Sequence, residues 1–210
     1  MGKDGHKKSL QCEIYDRLAS MECARIRKPC GAISFCNEVY EAVVVFHENG
    51  LMELSIEDRN TGDIPFYLHF EAREMDSVKG NLKAFFEFFK KKRFEKAALD
   101  PAAAAQRRPM RLLVSCTSGL TSSYFAYTMK NTLEKAGIKV TIDAVSFTEI
   151  DRLQEQYDYI LLAPQIGYKL PEYREKYGDK VLTIDSRDFA TYDTNRVINQ
   201  ITRRSPVRVA

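Results

Sequence analysis

Four short apolar runs in the second half of the chain, at 111–115, 139–145, 159–163 and 180–184, alternate with helical stretches at 121–135, 148–153 and 170–177. A last helical stretch at 194–203 closes the pattern. Few folds accept this alternation. Strands joined by helices need crossover connections, which set the strands parallel and cover both faces of the sheet with helices. In such sheets the working groups lie beyond the carboxyl ends of the strands, so chemistry is expected just after each run.

The first hundred residues follow another rule. A helical pattern runs over 8–27, with Leu10, Ile14, Leu18 and Met21 on one face, and Pro29 stops it. Residues 33–70 are rich in β-branched and aromatic side chains. Every second residue is apolar in Met52, Leu54, Ile56 and in Phe66, Leu68, Phe70, and the turn signals are Asn49-Gly50 and the stretch NTGD at 60–63. An antiparallel meander is predicted. A second helix from about Glu74 carries Met75, Val78, Leu82, Phe85, Phe86 and Phe89 at helical spacing, while Phe88 is expected to point away from that stripe. An exposed phenylalanine face would make the helix a docking platform, and a buried one makes it core. The run KKKR at 90–93 reads as its solvated end. The stretch DPAAAAQRRP at 100–109 has no large apolar side chain and reads as a linker. The expected organisation is therefore a small α+β domain with an antiparallel meander over 1–99, a linker over 100–109, and an α/β domain with a four-stranded parallel sheet and helices on both faces over 110–210.

Composition excludes several classes of function. Lys and Arg exceed Asp and Glu by only three, 32 against 29, and are spread along the chain, so nothing calls for nucleic acid, and no helix-turn-helix stands out. No apolar run approaches the roughly 20 residues that span a bilayer, and the start MGKDGHKKSL lacks the apolar core of a secretory signal, so a cytoplasmic protein is expected. Five cysteines make no disulfide framework, and the gaps between Cys12, Cys23, Cys30 and Cys36 do not suit a zinc site, so these four read as buried thiols and no metal or cofactor is expected. His47 and His69, with no carboxylate or second histidine at ligand spacing, read as structural or surface residues.

Cys116 stands apart. It ends the first parallel strand, and a loop of small residues leads from it into the next helix. A helix start offers free backbone NH groups and partial positive charge, which stabilise a thiolate and also a phosphoryl group carried on it. Thr117, Ser118 and Gly119 are small enough for backbone to curl round such a group, and the hydroxyls of Thr121, Ser122 and Ser123 are placed to donate hydrogen bonds or to cap the helix. An ordinary buried cysteine before a capped helix is the competing reading. The loop also suggests a low-molecular-weight tyrosine phosphatase, but the position where that family holds an arginine, six after the cysteine, is Ser122 here, and without a guanidinium the phosphatase reading fails.

Three separated motifs carry a more specific resemblance: CTSGLTSS at 116–123, LLAPQIGYKL at 161–170 and IDSRDFATYD at 184–193. Over 111–201 the chain resembles the enzyme IIB domain of the lactose/cellobiose branch of the bacterial sugar phosphotransferase system, with Leu120 where methionine is frequent and Thr117 where a smaller residue is common. The resemblance implies a phosphoryl acceptor at Cys116 with a binding loop of Thr117, Ser118, Gly119, Leu120, Thr121, Ser122 and Ser123, and with Gln165 and Tyr168 as candidate lining residues. It implies as partners an enzyme IIA phosphohistidine donor, a membrane enzyme IIC that would bring the chain to the membrane, and a sugar acceptor. The first hundred residues have no counterpart in that family. They open a second reading, in which phosphorylation of Cys116 signals to the amino-terminal domain, with Arg107 and Arg108 in the linker available to the new charge.

Overall fold

The structure, a computed structural model, describes residues 9–27, 31–91, 95–100, 109–117 and 120–204. The chain divides into two compact units, Met1–Lys92 and Arg93–Ala210. Pro29, Cys30, Lys92, Arg93, residues 101–108 of the expected linker, Ser118 and Gly119 lie outside the described residues.

In the first unit, Ser9 caps helix α1 (Leu10–Ala19), its side chain accepting from the Cys12 amide. The helix is shorter than the sequence pattern implied. It ends at Ser20, Met21 is 43% exposed, and Cys23 takes a positive φ of 66° that turns the chain into strand β1 (Arg25–Arg27). The expectation of buried amino-terminal thiols also fails, for Cys12 and Cys23 are exposed and Cys36 is half-buried. Cys12 lies on the outer side of α1, and Cys23 in the exposed turn.

Strands β2 (Ala32–Cys36), β3 (Tyr40–Phe46), β4 (Leu51–Asp58) and β5 (Phe66–Glu71) complete a five-stranded antiparallel sheet in chain order. Gly50 (φ 84°) and Gly62 (φ 74°) supply the left-handed residues of two turns. The register lines Ile33, Val44, Leu54 and Leu68 in one row and Phe35, Ala42, Ile56 and Phe66 in the next, all buried. Helix α2 (Met75–Phe89) covers this face with Phe85 and Phe88, both fully buried and both in ring contact with Phe66. Phe88 is thus core, against the sequence expectation, while Phe86 and Phe89 are half-buried. The stripe is rotated because Asn81, Ala84 and Phe88 share the inner face with Val78 and Phe85.

In the second unit, strands β6 (Met110–Cys116), β7 (Val140–Ser146), β8 (Tyr159–Leu162) and β9 (Val181–Thr183) form a parallel sheet in the order β7-β6-β8-β9. Helix α3 (Leu120–Lys135) packs on β6, β7 and α7 (Thr194–Arg204). On one face Leu113, Ile160 and Leu162 cluster with Ile150 of α4 (Ile150–Leu153) and Tyr173 of α5 (Leu170–Tyr177). Leu112, Val114 and Leu161 alternate to the opposite face and are equally buried, so both faces are covered. A short helix α6 (Ser186–Ala190) was not legible in the periodicity. Residues 97–100 belong to this unit: Asp193, Asn195 and Asn199 bond the backbone of Ala97, Ala98 and Asp100 at 2.7–3.0 Å. Among the described residues no helix is long and apolar enough to cross a membrane.

Candidate functional site

The order β7-β6-β8-β9 puts the reversal of strand progression between β6 and β8, where open parallel sheets form their crevice. Cys116 is the last residue of β6, in register with Ser146 at the end of β7, and is 2% exposed. The chain leaves β6 and enters α3 within three residues, which brings the first turn of the helix back over the strand end. There the Ser122 Oγ, itself buried, lies 3.2 Å from the Cys116 Sγ. Either atom can donate in the thiol state, and the hydroxyl donates to a thiolate. The place a phosphatase gives to its arginine is filled by a neutral hydroxyl. The first turn of α3 contains no acidic residue, so its positive end is not neutralised by a carboxylate of its own.

Neighbouring segments hold the backbone at Ser115 and Thr117. The Ser146 hydroxyl donates to the Thr117 carbonyl at 3.0 Å, and the Thr148 hydroxyl donates to Ser146 at 3.1 Å. On the other side, the Ala163 amide donates to the Ser115 carbonyl at 2.8 Å, so the segment after β8 begins beside the cysteine's own strand end. That segment is a 3-10 turn, Pro164–Lys169, carrying Gln165, which is buried, and Tyr168, which packs half-buried against the Leu113 cluster. Lys169 Nζ lies over the rings of Phe147 at 5.2 Å and Tyr173 at 5.7 Å and pairs with Glu172 at 3.1 Å. It therefore fastens the segment after β8 to the one after β7, and the hydrogen bond to Glu172 raises its pKa. After β9, the Asp185 carboxylate caps α6 by accepting from the Arg187 amide at 2.9 Å. The buried Asp188 is held by Arg187 at 3.0 Å and Arg196 at 3.4 Å; burial pushes its carboxyl up and the two guanidinium groups pull the other way.

The structure thus joins Cys116 and Ser122 directly. Thr117 is exposed with its carbonyl fixed, Leu120 opens α3, and Thr121 is half-buried and Ser123 exposed on the first turn. Sequence reasoning missed Ser146 and Thr148. The signal was present, because Ser146 ends the strand adjoining β6 and Thr148 lies in the turn just after it, where the fold rule directs attention, but both look ordinary until the register is known.

Fold and site together define a class: a parallel α/β domain whose first strand ends in a thiol that faces the start of the following helix. Residues 111–200 match the family described as PTS system, Lactose/Cellobiose specific IIB subunit, and this part of the chain is IIB-like. Among solved structures it is similar to the lactose-specific IIB component domain of the phosphoenolpyruvate:carbohydrate phosphotransferase system from Streptococcus pneumoniae, at 18% identity and a TM-score of 0.40, over 46% of this chain and 96% of that one. It is also similar to the cellobiose-specific phosphotransferase IIB component from Borrelia burgdorferi, at 22% identity and a TM-score of 0.40, over 49% of this chain and all of that one.

Proposed function

We propose that the second unit is a phosphoryl carrier of the sugar phosphotransferase system, with Cys116 as the covalent acceptor. The observation that carries this is the Cys116 thiol at a parallel strand end, with the Ser122 hydroxyl at 3.2 Å and a helix start free of acidic residues in its first turn. The Cys116 thiolate attacks the phosphorus of a phosphohistidine on enzyme IIA. The S–P bond forms as the N–P bond breaks, and the electron pair returns to the imidazole. In the second transfer, a hydroxyl oxygen of a β-linked disaccharide or similar sugar held by enzyme IIC attacks the phosphorus and gives up its proton to water; the O–P bond forms as the S–P bond breaks, and the electron pair stays on sulfur as the regenerated thiolate. Backbone NH groups at Thr117, Ser118 and Gly119 and the hydroxyls of Thr121, Ser122 and Ser123 bind the phosphoryl oxygens, while Gln165 and Tyr168 line the approach. The absence of a loop guanidinium suits a carrier, which must keep its phosphoryl group from water. The protein works on the cytoplasmic side and meets the membrane through IIC.

Intact mass after incubation with phosphoenolpyruvate and the general and IIA phosphotransfer proteins tests this. One phosphoryl group is expected on the wild type, stable to base as a thiophosphate ester is, and none on Cys116→Ser. No gain with several IIA proteins would refute the carrier role.

A second reading, in which phosphorylation of Cys116 signals to the first unit, is favoured by one observation. The chain entering the second unit is bonded through Ala97 to Asp193, which follows β9 and closes the IDSRDFATYD stretch. The expected signature is a change in hydrogen exchange at 97–100 on phosphorylation, and unchanged exchange there would remove this reading. Arg107 and Arg108, offered from sequence as partners for the new charge, lie outside the described residues.

A further inference from the structure

The first unit carries a groove of about 290 Å³ between α1 and α2, remote in sequence from Cys116. Its apolar lining comes from Ile14 and Leu18 on α1 and from Val78, Leu82 and Phe86 on α2. Met75 lies at one end of the lining, so α2 contributes a stripe twelve residues long, about 16 Å at 1.5 Å per residue. Ile14, Leu18 and Val78 form a buried floor, whereas Met75, Leu82 and Phe86 remain half-exposed walls.

The charges on the rim are all of one sign. Arg17, Lys79 and Lys83 line the groove, and no acidic residue does. Their carboxylate neighbours Glu13, Asp76 and Glu87 are not among the lining residues. The two lysine pairs are 3.9 Å long and well exposed, so they hold the ammonium groups weakly and leave them able to turn to a ligand. Both lysines line the groove with side chains 62% and 76% exposed, and a cationic head in water beside an apolar lining is the arrangement an amphipathic anion complements.

We propose that this groove binds a small amphipathic carboxylate, with its alkyl chain against Leu18, Val78 and Leu82 and its carboxylate between Lys79 and Lys83. Size and charge select this occupant. The volume lies at the lower end of small-molecule sites, roughly 300–1,000 Å³, and a mostly apolar lining with a few polar groups is what such sites have. A second copy meeting this groove with its own groove about a two-fold axis would bring the same three cations against this rim and be repelled. The site gives the first unit a ligand of its own, independent of phosphoryl transfer at Cys116.

The test uses the full chain, sodium octanoate as probe, and octylamine and octanol as comparators, followed through the methyl signals of Ile14, Leu18, Val78 and Leu82. Octanoate is expected to shift these signals saturably, with the two comparators binding about ten-fold more weakly. The double variant Lys79→Gln/Lys83→Gln is expected to weaken octanoate about ten-fold without moving the thermal midpoint, since both side chains are exposed. Unshifted methyl signals up to the solubility limit of octanoate overturn the proposal. So does octylamine binding as tightly as octanoate, or sedimentation as a dimer that Leu82→Glu dissociates, because the groove would then be taken by a second copy.

Discussion

The two sheets of this chain are of similar size, yet they expose their chemistry in opposite ways. In the parallel sheet every strand ends at the same edge, so Cys116, Ser146, the turn after β8 and Asp185 converge there whatever their distance in sequence. In the antiparallel sheet, strand ends alternate between two edges, and groups come together through lateral register instead. Glu53 illustrates this: it faces His69 across β4 and β5 and lies 3.4 Å from the His47 ring. A position after a strand locates a site in the first case, and only a cross-strand neighbour does so in the second.

The largest effect expected from this contrast is confined to the second unit. On the proposed function, Cys116→Ser is expected to abolish phosphoryl acceptance, whereas Cys36→Ser, at a strand end of the meander with a thiol 3.7 Å from Glu41, is expected to leave it unchanged. Acceptance by the Cys116→Ser variant would mean that the convergence of strand ends does not mark the reactive group. Next in size is a loss of stability in the first unit. Phe88→Ala removes a fully buried ring that touches Tyr40 and Phe66, and is expected to cost about 3–5 kcal/mol in urea unfolding. A cost near zero would return Phe88 to the exposed position expected from the sequence stripe.

Ser122→Ala sharpens the comparison more gently. It removes the hydroxyl at 3.2 Å from the Cys116 Sγ with little change of volume. A hydrogen bond of this kind contributes about 1 kcal/mol, so phosphoryl transfer is expected to slow roughly five- to ten-fold. Single-turnover transfer from phosphorylated IIA measures this, with Ser123→Ala as the control on the exposed side of the same turn. Equal effects from both would remove the special place of Ser122.

How much of this was legible in the sequence follows the same division. The four parallel strands and helices α3, α4, α5 and α7 stood out, β6, β8 and β9 because a strand buried on both faces is a continuous apolar run, and the edge strand β7 because Val140, Ile142 and Ala144 alternate with polar residues. The motif around Cys116 was readable for the same reason. The contact with Ser122 and the support from Ser146 were not, since one depends on the turn between β6 and α3 and the other on which strand lies beside β6. In the meander the alternation placed the strands, but the inner face of α2 was misjudged at Phe88, because Phe85, Phe86, Phe88 and Phe89 are chemically alike and only the small Ala84 and the buried Asn81 reveal the true side. The long helix expected at 8–27 ends at Ser20, ahead of a positive-φ cysteine at Cys23, which periodicity does not foresee.

The smallest effect concerns pH and tests the lateral register itself. His69 faces Glu53, His47 and Tyr67 on the meander. Burial holds its pKa below the ordinary 6.5, and although Glu53 pulls it up, burial prevails and His47 adds to the lowering. The folded unit therefore prefers neutral His69. Its contribution to stability is complete above the unfolded value near 6.5 and is lost as pH falls through the lower folded value. Carboxylates elsewhere also respond to acid, so the discriminating quantity is the difference in urea midpoint between wild type and His69→Gln at pH 7.5 and at pH 5. That difference is expected to narrow at pH 5 if the wild type alone loses the histidine's contribution, and the ring proton signals of His69 are expected to titrate below 6.5. Titration above 6.5 would mean that Glu53 outweighs burial, and the row that joins β4 to β5 would then be an ion pair rather than a neutral contact.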